Sequence, residues 1–259
     1  MVKAIFQNLY GKKRYQRFFH RLLGISLAGL NLVGGGRSIR TSGEMWAIKY
    51  VLSKSKKDSV VFDVGAQGGE YSETVLEANP DAKIYAFEPA DKAKKELVKQ
   101  FQENKNVKII PAALGVKTGM SPLYSSEGVS GVDSLYELSN NDRNTFAKSA
   151  DIQVYTLDDF CITEKIGVID LLKLDVEGSE MDILKGAINY ISKGNINFIQ
   201  FEHSGASFKA GYRFADVFDL LNPYYKIYRI LQDGLEEIKK PSQTEEFPFA
   251  VNYLASKKD

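Results

Sequence analysis

The stretch "VVFDVGAQGGEYSE", residues 60–73, ends an apolar run on a carboxylate, Asp63, and follows it with Gly65, Gly68 and Gly69. Glycine lets a turn adopt positive φ and lets the backbone approach a ligand closely. A second carboxylate, Glu88, closes the next apolar run in "YAFEP", where it can accept both hydroxyls of a ribose. The pair points to a nucleoside-bearing cofactor. A dinucleotide fingerprint needs glycines at steps of two and three, but counted from Gly65 those places hold Gln67 and Glu70. The chain also has no Gly-Lys-Ser/Thr phosphate loop. Asp63 would repel a pyrophosphate; it suits a ligand that carries an ammonium and a sulfonium. S-adenosylmethionine has both and no phosphate.

Two later runs could act on such a ligand. "KLDVEG" sets Lys173, Asp175 and Glu177 on one side of a strand by period two. Buried charges must be paired, so these three form either a structural ion-pair network or a cofactor and substrate wall at the strand's carboxyl end. "QFEHSG" brings Glu202 and His203 to the same edge. Methyl transfer is an in-line displacement in which the protein positions the acceptor oxygen. A hydroxyl acceptor gains from a general base, and histidine titrates in the right range. Of the two histidines, His20 lies in a basic N-terminal segment. His203 is therefore the expected base, with Lys173 and Asp175 beside it and Glu177 and Glu202 toward the acceptor. Asp175, Glu202 and His203 do not supply the oxygen set of an octahedral ion, and no metal site is expected. Ser179 is expected to cap the next helix. "NPYY", residues 222–225, resembles the motif of amino-directed DNA methyltransferases, but it falls far downstream of its place there, and Asn222-Pro223 reads as a helix stop.

These residues need a frame. "SVVFDVG", "KIYAFEP", "VKIIPAALG", "DLLKLDVEG" and "NFIQFEH" read as buried strands. "YSETVLEANP", "DKAKKELVKQFQEN", "SEMDILKGAINYISKG" and a segment near 207–221 read as helices between them, with Ala93, Leu97 and Phe101, and then Met181, Leu184, Ile188 and Ile191, facing inward. "YYKIYRIL" and "FAVNYLA" add two late strands. Such alternation predicts an α/β fold: a mostly parallel seven-stranded sheet with helices on both faces. Residues 115–160 interrupt it with strands "GMSPLYSS" and "DIQVYTLDDF" around a Gly-, Ser- and Asn-rich insertion. The insertion, 120–150, is expected to help form the acceptor pocket.

The composition of the 259 residues, 44% hydrophobic and 26% charged, is globular. The single cysteine, Cys161, allows no internal disulfide and suggests a reducing, cytoplasmic setting. Net charge is +1, yet residues 1–43 hold eight basic residues and no acid, so the remainder carries −7. An acidic main domain without basic, aromatic-interleaved surface argues against nucleic acid. The boundary between a basic, helical N-terminal extension (1–57) and the main domain (58–259) is placed near residue 57. The uncharged run Leu22–Gly36 is too short for a membrane span. Phe19, Leu23, Leu27 and Leu30 form one helical stripe. Three readings stay open: a helix packed on the main domain, a basic amphipathic helix that brings residues 1–40 onto the inner face of an anionic membrane, or a cleaved signal. Ser42 is expected to cap "EMWAIKYVLSK", whose inner face is Met45, Ile48, Val51 and Leu52.

"FDVGAQGGEYSE", "YAFEPA", "AALG", "TLDDF" and above all "LLKLDVEGSEMDILKGA", in that order over roughly residues 58–205, resemble the FkbM family of S-adenosylmethionine-dependent methyltransferases. The resemblance implies the class I, Rossmann-like methyltransferase fold and methyl transfer, usually to a hydroxyl of sugars, glycans or polyketide-type natural products. It implies that Asp63, Gly65 and Gly69 surround the methionine part with Tyr71 close by, and that Glu88 binds the ribose. Ala112, Ala113 and Leu114 would lie near the adenine, with Ser134 and Asp175 near the cofactor. Gln67 replaces the family's usual asparagine and Gly68 a usually apolar residue. The expected activity is O-methylation of a hydroxyl on a sugar or glycan. The alternatives are a small secondary metabolite as acceptor, or a non-catalytic cofactor-binding scaffold.

Overall fold

The computed structural model describes residues 9–33, 38–126, 133–137, 146–246 and 249–258. Three helices come first: α1 (Gln16–Gly29), α2 (Ile39–Ser42) and α3 (Glu44–Lys54). Alternation follows, with β1 (Val60–Val64), α4 (Glu70–Ala78), β2 (Lys83–Phe87), α5 (Asp91–Phe101) and β3 (Val107–Ile110). The interruption contains β4 (Ala113–Leu114), β5 (Gly119–Ser126), β6 (Asp133–Ser134) and β7 (Phe146–Tyr155). Next are α6 (Leu157–Thr163), β8 (Ile169–Leu174), α7 (Glu180–Gly186), α8 (Ile188–Ser192) and β9 (Ile196–His203). The last elements are α9 (Gly205–Lys209), α10 (Phe214–Leu221), β10 (Tyr225–Ile230), β11 (Leu235–Glu237) and β12 (Val251–Lys257).

The main sheet has the order β11-β10-β12-β9-β8-β1-β2-β3. From β9 to β3 every neighbour is parallel, while β12, β10 and β11 pair antiparallel. The seven expected strands become eight because β11, three residues long, adds an edge that carries no apolar run. The strand order reverses between β1 and β8, which places a ligand crevice beyond their carboxyl ends. Along β1 and β8 the side chains alternate between two buried clusters. Phe62, Val64, Leu172 and Leu174 face one; Val61 and Leu171 face the other.

Several local expectations shift for physical reasons. "VKIIPAALG" splits at Pro111, which cannot donate to a ladder, so β4 leaves the main sheet and pairs with β7. "DIQVYTLDDF" ends as a strand at Tyr155; Thr156 Oγ accepts from the Asp159 N–H at 3.0 Å and starts α6. The helix expected near 207–221 is two helices, α9 and α10. "SEMDILKGAINYISKG" also breaks in two. A Cβ at Gly186 would meet the Gly115 carbonyl oxygen at 2.1 Å, so the helix end is pressed against backbone there, and Ile188 turns out to 40% exposure. The insertion builds a second sheet, β4-β7-β5-β6; its residues 127–132 and 138–145, like 34–37 of the first connection, lie outside the described residues. Asn222 ends α10 and the Tyr225 hydroxyl donates to the Ile196 carbonyl at 2.8 Å, so "NPYY" serves as a stop and a strut.

Helix α3, grouped with the extension on composition, packs Ala47, Ile48, Val51 and Leu52 into the same cluster as Val61 and Leu171. Gly43 takes the N-cap position at φ +99, and the Ser42 hydroxyl accepts from the Glu44 N–H at 3.3 Å. Helix α1 differs: none of its residues is buried, and of its expected inward stripe only Leu27 packs on the core.

Candidate active site

The turn after β1 and the loop after β8 meet at the switch point. Gly65 adopts φ +82, and a Cβ there would come within 1.9 Å of the Asp175 carbonyl oxygen. Only glycine allows these strands to end so close together. A pocket opens beside them, lined by Gly65, Gln67, Glu88, Asp175, Glu177 and Ser179. Ala112, Ala113 and Leu114, with Leu123 and Leu135 of the insertion, give it an apolar wall. Glu88, buried at the end of β2, accepts the Gln67 N–H at 2.9 Å on one carboxylate oxygen and the Ala90 N–H at 2.8 Å on the other. Each oxygen keeps a free lone pair. Burial raises the Glu88 pKa and the two N–H bonds pull it down.

Behind the pocket lies a buried polar chain. Asp63 accepts from the Ser72 hydroxyl at 2.7 Å, while its other oxygen has no hydrogen-bond partner among the described residues. Lys173 Nζ stands 4.0 Å from that carboxylate and 3.0 Å from Asp175 Oδ2. The ammonium also lies 4.8 Å from the centre of the Tyr71 ring, a cation–π contact. The Tyr71 hydroxyl donates to Gln200 Oε1 at 2.9 Å, and Gln200 Nε2 donates to Glu44 Oε1 at 2.9 Å on helix α3. The Ser42 hydroxyl ends the chain on Glu44 Oε2 at 2.8 Å. Lys173, Asp63 and Tyr71 thus act from beneath the site rather than on its lining. Gly69, at φ +88, heads α4 against Leu97, Gln100 and Phe101.

Strand β8 stops at Leu174, so Asp175 and Glu177 belong to a loop, and period two does not relate them to Lys173. Glu177 is held at φ +51 and Gly178 at φ +104. A non-glycine residue in that region stores strain that its surroundings must hold. Two clamps do so. The Ser134 hydroxyl donates to the Glu177 carbonyl at 2.8 Å. Glu180 accepts from the Val176 and Gly178 N–H groups and from the Tyr212 hydroxyl. Ser179 holds the N-cap position of α7 as expected, but its buried hydroxyl makes no cap hydrogen bond and lines the pocket. Burial first, then Asp175 and Glu180, push the Glu177 carboxyl up to about 7. Glu202, beside it on β9, is raised well above the usual carboxylate range by burial and by Asp175 and Glu177.

His203 does not line this pocket. Alternation along β9 turns it, with Ile199 and Phe201, to the opposite face from Gln200. Its ring stands 5.3 Å from Phe208 and 5.9 Å from both Tyr212 and Phe214. Neither nitrogen has a hydrogen-bond partner among the described residues, and burial pushes its pKa down to about 4. It is a neutral imidazole in an aromatic cage. Replacing an unsatisfied buried polar group by an apolar one of similar shape is near neutral or stabilising. His203→Phe should therefore keep methyl-transfer activity within about threefold and leave stability unchanged or up by about 1 kcal/mol, read by steady-state rates and urea unfolding. A hundredfold loss of kcat in a folded variant would return the histidine to the reaction.

A family model described as the methyltransferase FkbM domain matches residues 63–230. The chain belongs to the FkbM methyltransferase family. This FkbM chain is 25% identical over 160 residues to the 2-O-methyltransferase NoeI of Sinorhizobium fredii, covering 58% of this chain and 65% of that protein. It is 25% identical over 164 residues to the hexuronic acid methyltransferase AglP of Haloferax volcanii, covering 63% and 64%. The chain spans a little under two thirds of the length of these relatives. The crystal structure of methyltransferase FkbM from Methylobacillus flagellatus KT superimposes with a TM-score of 0.48 at 17% identity, over 77% of this chain and 44% of that one.

The family's fold is the class I methyltransferase fold and its cofactor S-adenosylmethionine. The residues present fit that group: Gly65 leaves a cradle that a Cβ would fill, the Ser179 hydroxyl on the pocket lining has no hydrogen-bond partner among the described residues, and each Glu88 oxygen keeps a lone pair. The FkbM chain has no group of three or more His, Cys, Asp or Glu suited to a metal among its described residues. Sequence reasoning missed Glu180, Gln200 and Glu44. Their only signal was a polar residue in an otherwise apolar strand or at a helix start. Glu88→Ala should weaken S-adenosylmethionine binding at least tenfold if the carboxylate holds the ribose as expected, since it also frees the Gln67 and Ala90 N–H groups, each lost bond being worth about 1–3 kcal/mol. Calorimetric titration reads this directly, and unchanged affinity would move the cofactor elsewhere.

Proposed function

We propose that the chain transfers the methyl group of S-adenosylmethionine to a hydroxyl of a sugar or glycan, and that Glu177 accepts the hydroxyl proton. The observation that carries this reading is the carboxylate wall at the pocket's edge. Asp175 and Glu177 line the pocket and Glu202 adjoins them. Carboxylates accept hydrogen bonds from the several hydroxyls of a saccharide and fix which one faces the donor. The activities named for the two relatives, a 2-O-methyltransferase and a hexuronic acid methyltransferase, support the same class of acceptor.

The bound cofactor supplies an electrophilic methyl on a sulfonium. The chain's own residues do the rest. Glu88 and the apolar wall hold the nucleoside. Lys173 pairs with Asp175 at 3.0 Å and stands 4.0 Å from Asp63, which fixes both carboxyls. The strained loop presents the Glu177 carboxyl, which takes the acceptor proton as the oxygen loses it. A carboxyl near 7 is a competent base at neutral pH while it can still be regenerated by water.

The test offers methyl-labelled S-adenosylmethionine with free hexuronic acids, hexoses and oligosaccharides, and with phenolic metabolites in parallel. Methyl ethers on saccharides are expected. Turnover of phenols alone would replace the sugar by a small secondary metabolite. Tight cofactor binding without transfer to any acceptor would favour the scaffold.

A further inference from the structure

Helix α1 stands out from the fold. It is fourteen residues long and none of them is buried. Its C-terminal end is pinned: Asn31 Nδ2 donates to the Ser42 and Ile230 carbonyls at 2.8 and 3.0 Å, and Leu32 is 1% exposed in the core. The rest projects. Phe18, Leu22 and Ile25 are 45%, 39% and 69% exposed and lie at i, i+4 and i+7, one side of a helix. Arg17 and Arg21, four apart, line the adjoining side, and Lys12, Lys13 and Arg14 precede the helix. Residues 1–43 contain no acid.

We infer that α1 is a docking surface for an anionic lipid bilayer, on which it lies in the plane of the interface. An apolar face running beside a cationic one is the pattern of interfacial helices. The helix cannot span: fourteen residues rise only about 21 Å against a hydrocarbon core of about 30 Å. No helix among the described residues is long and apolar enough to cross a membrane. Charge selects the occupant. A second copy of α1 across a two-fold axis would bring two sets of cations together with no carboxylate on either helix, whereas anionic headgroups neutralise them. The pinned C-terminal end holds the apolar face at a fixed place on the catalytic body, so docking would also set the orientation of the whole chain on the surface.

The full chain is tested by co-sedimentation with vesicles of phosphatidylcholine alone and of phosphatidylcholine mixed with phosphatidylglycerol. Binding to the mixed vesicles only is expected, weakening at high salt. Leu22→Glu with Ile25→Glu, and separately Arg17→Glu with Arg21→Glu, should each cut the partition at least tenfold while circular dichroism stays unchanged, since all four side chains are exposed. Failure of the wild-type chain to sediment with mixed vesicles overturns the inference, as does undiminished sedimentation of both variants. Self-association in sedimentation velocity that the Leu22→Glu, Ile25→Glu variant abolishes would assign the face to a second copy and also overturn it.

Discussion

Glu177→Gln is expected to lower kcat by roughly a hundredfold to ten-thousandfold, the range for losing a general base, with S-adenosylmethionine affinity changed less than threefold. The amide keeps the size of the side chain and the strained φ of +51, because the clamp from Ser134 grips the backbone carbonyl rather than the carboxyl. Only the proton acceptor is removed. In the wild-type chain kcat/KM should rise with pH and level off above about 7, where the Glu177 carboxyl ionises. That limb should vanish in the variant. Stability runs the other way. A carboxyl whose pKa is raised by folding contributes stability that is fully present below the ordinary carboxyl pKa and is lost as pH rises through about 7. The variant should therefore unfold at a higher temperature than the wild type at about pH 8 and at nearly the same temperature at about pH 5. A residue kept at the expense of stability is expected where function needs it. Unchanged kcat, or a pH limb that survives the substitution, would remove Glu177 from the reaction.

Lys173→Met should destabilise the fold by about 3 kcal/mol or more, because removing one partner of a buried ion pair leaves the other uncompensated. Lys173 is 5% exposed and Asp63 fully buried. Burial already raises the Asp63 pKa, and Lys173 is the largest influence holding it down. Methionine fills the volume, so the loss reports charge rather than packing. Asp175 is 32% exposed and can turn to water; the cost falls on Asp63. Acidification should shrink the difference, because protonating Asp63 removes the stranded charge. The double variant Asp63→Asn, Lys173→Met should recover at least about 1 kcal/mol of the loss, the coupling expected of contacting groups. Equal destabilisation by single and double variants in urea unfolding would show that the pair is not coupled.

The strand–helix alternation was legible because buried parallel strands read as apolar runs and their helices as 3.6-period stripes. The glycine turn and the pocket beside it were legible because Gly65 and Glu88 directly follow the ends of β1 and β2, where the order of elements already places a ligand. The acidic edge of the pocket was not. Whether a residue at a strand end faces the pocket depends on where the strand stops and on which face alternation leaves it. β9 carries His203 to the aromatic side, while β8 stops before Asp175 and leaves Glu177 in a turn. Titration range singled out histidine, yet burial moves His203 to about 4 and Glu177 to about 7. Gly186 shows the same limit: nothing in a helical stripe records that another segment's backbone passes 2.1 Å from its missing Cβ. The sign change in charge near residue 57 marks a change of surface, not of core, since α3 lies before it and is buried with β1.

The tie from Ser42 and Glu44 through Gln200 and Tyr71 to the ground beneath Asp63 has a consequence for how the molecule opens. Segments that share a core and a hydrogen-bonded network unfold as one cooperative unit. In hydrogen-exchange measurements the amides of α3 should accordingly be protected as long as those of β1 and β8, exchanging only when the whole sheet comes apart. The amides of α1, earlier in the chain and without buried side chains, should exchange orders of magnitude sooner, through openings that leave the candidate site intact.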